Sequence, residues 1–158
     1  VCVSDPRNHD GRLRAEVYQR YMHEHGIEKK AHAFMIPQNP QASYQVAREI
    51  FSIGGARQPT AIYAASDTFA IYVMQAAFQA GINIPHQISI VGFDNIDLTS
   101  DTIPPLTTID QSGVKMGETA TNLILDMIEQ DRESSEVADI VLQPTLIVRQ
   151  STAPPLSH

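Results

Sequence analysis

A chain of 158 residues fits one domain and is long enough to bury a core. Its net charge of -7, from 11 Lys and Arg against 18 Asp and Glu, lacks the basic footprint of a nucleic-acid binder, and no apolar run is long enough to cross a membrane. The single cysteine excludes an internal disulfide and suits a reducing compartment.

The first residues, Val1-Cys2-Val3, are strand-like rather than the basic start of a signal peptide. With no initiator Met, the chain reads as a piece of a longer cytoplasmic protein. Val1 to Ser4 is expected as a buried strand with Cys2 a small interior residue. Asp10 is an N-cap candidate for a helix from Gly11 to His25, whose apolar stripe is Leu13, Val17, Tyr18, Tyr21 and Met22, and Gly26 closes it. Arg14 lies on that stripe near the helix start, either facing inward or snorkelling to water.

Ala31 to Ile36 is the second predicted strand, followed by the polar turn Gln38 to Gln41. A helix from Ala42 to Ile53 buries Val46, Ala47, Ile50 and Phe51 and closes at Gly54-Gly55. Thr60 to Ala65 is the third strand, ending in Ser66-Asp67. A helix from Thr68 to Ala80 then packs through Phe69, Val73, Met74, Ala77 and Phe78. Ile88 to Val91 is the fourth strand, followed by Gly92-Phe93-Asp94 and a polar loop to Pro104-Pro105. Leu106 to Ile109 is extended again. Val114 to Gln130 is a helix with Met116, Ala120, Leu123, Ile124, Met127 and Ile128 on one side. Asp131 to Glu136 is a charged turn, Asp139 to Leu142 and Thr145 to Val148 are two short strands, and the tail from Ser151 to His158 is expected to fray.

Uninterrupted apolar strands alternating with helices predict an α/β fold, an open parallel sheet flanked by helices. Such a sheet binds ligands outside the C-terminal ends of its strands, where Asp5, Asp67 and Asp94 are expected. Asp67 directly precedes a helix and has the competing role of capping it. Three carboxylates could also hold a metal for phosphoryl transfer. However, the acidic pair and the Lys of a receiver domain are missing, as are the paired Asp of an aspartate-nucleophile phosphatase and a Gly-x-Ser-x-Gly elbow. With no catalytic constellation, no metal-ligand spacing and no cofactor motif, binding is the better reading and an enzyme is not expected.

Several stretches together resemble the lac-repressor/galactose-repressor (LacI/GalR) family of bacterial transcription regulators. They are Pro59-Thr60-Ala61-Ile62 through Ser66-Asp67, Gly81-Ile82-x-Ile84-Pro85, Ile88 through Asp94, Pro104-Pro105-Leu106-Thr107-Thr108-Ile109 with Gln111, and Leu146-Ile147-Val148-Arg149-x-Ser151-Thr152. The resemblance implies a periplasmic-binding-protein-like core with a helix-turn-helix headpiece outside this chain. It divides the chain into a C-terminal effector subdomain at 1–103, a crossover strand and helix of the N-terminal subdomain at 104–136, returning strands at 137–152 and a tail at 153–158. The implied partners are a small-molecule effector, a sugar or related metabolite, a second copy in a homodimer, and operator DNA through the missing headpiece. The implied effector contacts are Arg14, Ser66, Asp94 and Gln111, and Asp67 joins them from the acidic edge. Val17 replaces a Gly, Ser66 stands where some members have Asn, and the turn 38–41 offers no aromatic for stacking. A sugar receptor of a transport system has the same fold and is the alternative.

Overall fold

The computed structural model describes residues 1–53, 59–129 and 139–154. The expected closing glycines at 54–55, the charged turn at 131–136 and the end of the tail lie outside these residues. β1 (Cys2–Ser4), β2 (Ala33–Met35), β3 (Ala61–Ala64) and β4 (Ser89–Val91) form one parallel sheet in the order β2-β1-β3-β4. The helices between them are α1 (His9–Glu24), α2 (Pro40–Ser52) and α3 (Asp67–Gln79). The core lies between the sheet and the paired helices α2 and α3. Val3, Ile62, Ala64 and Ile90 meet Val46, Ala47 and Ile50 of α2 and Phe69, Ala70 and Val73 of α3.

The other face carries α1, and here the packing differs from the apolar stripe expected. Gly11 and Ala15 are the buried residues, while Leu13, Val17 and Tyr21 remain 46, 50 and 56 % exposed. The helix comes too close to β1 for large side chains to lie between them. Ser4 Oγ donates to the Gly11 carbonyl across 2.7 Å, and a Cβ on Gly11 would lie 2.7 Å from that same Oγ. The N-cap is Asn8 rather than Asp10, its side chain accepting from the amides of Asp10 and Gly11. Phe78, expected inside, is 84 % exposed at the end of α3.

Beyond β4 the chain makes a 3-10 turn at Asp97–Ser100, then β5 (Thr108–Asp110), α4 (Gly113–Glu129) and β6 (Thr145–Ile147). β5 and β6 form a separate antiparallel pair. Asp139 to Leu142, expected as a strand, is irregular. None of the residues of α4 is buried. The segment 149–153 then returns to the main sheet along the outer edge of β4, so Ser151 to Ala153, expected to fray, are instead held by hydrogen bonds. Ser151 Oγ donates to the Ile90 carbonyl (2.6 Å), the Ile90 amide donates to the Ser151 carbonyl (2.8 Å), and the Thr107 amide donates to Ser151 Oγ (2.8 Å).

Candidate binding site

The chain leaves β1 toward β2 on one side and later comes back to β3 on the other, so the sheet has its topological switch point between β1 and β3. Open parallel sheets bind ligands in the crevice outside the strand ends at such a point. Arg14, in the second turn of α1, reaches it. Its Nη1 donates to the Ala65 carbonyl just past β3 (2.6 Å), and its guanidinium lies 3.7 Å over the Phe93 ring. Among the described residues it makes no ion pair, so its remaining donors have no carboxylate to satisfy them.

Asp94 stands at the end of β4 with φ at 118°, well outside the regions open to most side chains, and Asn95 follows at 55°. Gln111 Nε2 donates to Asp94 Oδ1 across 2.8 Å. Burial raises the Asp94 carboxyl above its ordinary value, the positive charge of Arg14 opposes this, and the Gln111 bond helps the ionised form. Tyr63 of β3 is close enough to feel both Arg14 and Asp94, and its own burial pushes the phenol up to about 12.

The turn carrying Asp94 is pinned from beneath. The amide of Asp94 donates to the Ile109 carbonyl (2.9 Å), that of Asn95 to Thr108 Oγ1 (3.4 Å) and that of Ile96 to Asp67 Oδ2 (3.0 Å). Thr108 Oγ1 donates in turn to Asp67 Oδ1 (2.6 Å). Asp67 is therefore fully buried with both oxygens taken by this chain's own donors. It belongs to the base of the site and does not face the crevice, which corrects the expectation that it contacts a ligand. It does not cap α3 with its side chain either. That role is taken by Ser66, whose Oγ accepts from the Phe69 amide at 3.4 Å. Ser66 Oγ also accepts from Gln38 Nε2 (2.9 Å), and among the described residues its O–H has no acceptor.

Asp5, the third expected carboxylate, is also turned inward. Its oxygens accept from the Arg7 amide and guanidinium and from the Gln38 amide, and the Arg7 bonds hold it well below the usual carboxylate range. Two of the three acidic residues are thus consumed by internal bonds, and they do not gather into a metal site. Phe93, Asn95, Thr108 and Arg149 belong to the site and were not singled out as site residues from the sequence. Phe93, Thr108 and Arg149 lay within the recognised stretches and Asn95 directly follows one, but the contacts through which Asn95, Thr108 and Arg149 act reach far along the chain, and no periodicity or spacing shows them.

The profile of the periplasmic binding protein-like domain matches residues 1–152. The "Arabinose metabolism transcriptional repressor" of Geobacillus stearothermophilus is 39 % identical over 108 residues, 68 % of this chain and 29 % of that protein. The "HTH-type transcriptional repressor PurR" of Erwinia tasmaniensis is 35 % identical over 114 residues, 72 % of this chain and 32 % of that protein. This chain therefore spans about a third of the length of these relatives. Among solved structures, a LacI family transcriptional regulator from Enterococcus faecium with bound ribose superposes with a TM-score of 0.80 at 28 % identity, covering 99 % of this chain and 56 % of that one. The chain belongs to the periplasmic binding protein-like family, as part of the core of a LacI/GalR-type regulator.

Proposed function

We propose that this chain is the effector-binding part of a bacterial transcriptional repressor, and that its effector is a small polyhydroxylated molecule, a sugar or a close relative of one. The observation that carries this reading is the pairing of complementary groups at the switch point. Among the described residues, Arg14 offers guanidinium donors that no carboxylate uses, and Asp94 keeps Oδ2 without a partner beside it. A rigid donor fork beside a carboxylate acceptor suits vicinal hydroxyls, and Ser66 and Gln111 add a hydroxyl and an amide. The names of the relatives support the class: one is an arabinose repressor and one structure holds ribose.

On this reading the protein works in the cytoplasm as a dimer, and operator DNA is contacted by a headpiece outside these residues. The contribution of this chain is binding, with no catalytic step. A transport receptor is not favoured, because the relatives are repressors.

The test is calorimetric titration of the full-length protein with ribose, arabinose and cellobiose, comparing wild type with Asp94→Asn and Arg14→Met. Each substitution leaves a polar ligand group unpaired in a desolvated crevice, at a cost of roughly 1.5–3 kcal/mol, or about tenfold to a hundredfold in affinity. Unchanged affinity in both folded variants rejects the site.

A further inference from the structure

We infer that Arg149 is a positioning residue for ligand binding, holding through Asn95 the turn that aims the Asp94 carboxyl into the crevice. The inference rests on the reading of Asp94 as a ligand contact. Arg149 follows β6, and its side chain crosses to the loop between β4 and β5. Nη2 donates to Asn95 Oδ1 (2.8 Å), and Nη1 donates to Thr99 Oγ1 (3.0 Å) and to the Leu106 carbonyl (2.7 Å). The Arg149 amide donates to Thr107 Oγ1 (3.0 Å). Every acceptor is neutral and every one lies within 95–107, and among the described residues the guanidinium makes no ion pair. Charge neutralisation does not explain an arginine here, whereas the need for a planar fork reaching three acceptors at once does.

The loop needs such a clamp because Asp94 and Asn95 both have positive φ, at 118° and 55°. Two such residues in succession persist only where their surroundings over-determine them. The amides of 94, 95 and 96 are held from below, as described above, but among the described residues the Asn95 side chain is held from the side by Arg149 alone. Asn95 adjoins Asp94, so a rotation at Asn95 is transmitted directly to the carboxyl. Among the described residues, Arg149 makes no hydrogen bond to Arg14, Ser66, Asp94 or Gln111.

The experiment uses the full-length protein, with ribose, arabinose and cellobiose as probes and hydrogen exchange read by mass spectrometry on the ligand-free state. Arg149→Lys keeps the charge and loses the fork. Asn95→Gly removes the one link to Arg149, accepts positive φ, and leaves the bonds to Thr99 and Leu106 in place, so it tests the idea if Arg149→Lys folds poorly. Both variants are expected to weaken the tightest-binding sugar about tenfold, a change the size of one lost hydrogen bond to a charged group. Exchange should rise at residues 93–98 and stay level in β1 and α3. In an Asp94→Asn background, Arg149→Lys should add less than about a twofold further loss, because it acts through a carboxyl already removed. Wild-type affinity in both variants overturns the positioning role, as does a loss that adds fully to that of Asp94→Asn or unaltered exchange at 93–98. An Asp94→Asn protein that binds like wild type rejects the reading of the site itself, which is a separate result.

Discussion

Gln111 Nε2 bonds Asp94 Oδ1 at 2.8 Å, tying the residue after β5 to the turn after β4. The bond joins the end of the parallel sheet to the segment after β5, and it favours the ionised form of Asp94. Gln111→Ala should therefore raise the Asp94 titration midpoint further. Carboxyl-carbon NMR of the ligand-free protein reads this directly. An unmoved midpoint means the bond does not persist in solution.

Asp94 should also cost the fold something at neutral pH. Burial raises its folded value above the unfolded one, so below the ordinary carboxylate range both states are protonated and there is no penalty. As pH rises through the raised folded value, the native state must carry a half-buried charge, and the penalty is complete above it. Asp94→Asn should be more stable than wild type at pH 7, by about 1 kcal/mol or less after solvent screening. The advantage should vanish below about pH 4. Thermal melts at the two pH values check this, and a variant less stable than wild type at pH 7 contradicts it.

Gly92 is required by space. A Cβ there would collide with Asp67 Oδ1 and come within 3.0 Å of Leu106 Cδ2, and Asp67 has no room to yield because both its oxygens are bonded. Gly92→Ala should lower stability by roughly 1–3 kcal/mol, the cost of overpacking. Urea unfolding measures it, and affinity for the proposed sugar effector should fall with it because the Asp94 turn rests on Asp67. A neutral substitution would show that the turn has slack.

The exposed face of α4 should make the isolated 158-residue chain self-associate. Val114, Ile124 and Ile128 are 80, 57 and 72 % exposed, and no residue of the helix is buried. A contiguous apolar stripe of this kind is an association surface. Light scattering should show dimers or larger species, and the double substitution Ile124→Glu with Ile128→Glu, one turn apart, should return them to monomers. A monomeric wild-type chain at high concentration would contradict this.

The alternation of strand and helix was legible because parallel strands buried on both faces are apolar throughout, as Ile62 to Ala64 and Ser89 to Val91 show apart from their polar edge positions. Helix ends were legible where a glycine stops them, as at Gly26 and Gly81, both with positive φ. The stripe of α1 misled because periodicity reports which residues share a face, and says nothing of how closely that face approaches the sheet. Arg14 and Asp94 could be placed at one edge from their positions after β1 and β4. The internal engagement of Asp67 could not, since its partners Thr108 and Ile96 lie 41 and 29 residues away. Arg149 is 54 residues from Asn95, and a bond across that distance leaves no local pattern.

The return of residues 149–153 to the outer side of β4 has a consequence for biosynthesis. Until they arrive, the Ile90 amide and carbonyl face outward from a sheet edge able to pair with another chain. Ile90 and Ser151 are 61 residues apart, so at about 5–20 residues per second the edge stays open for roughly 3–12 seconds after β4 is made. A nascent chain in that interval is exposed to aggregation although most of its main core, all but Leu106, is made by the end of β4. A chain truncated before Gln150 would never leave that state, and would accumulate as insoluble β-rich material.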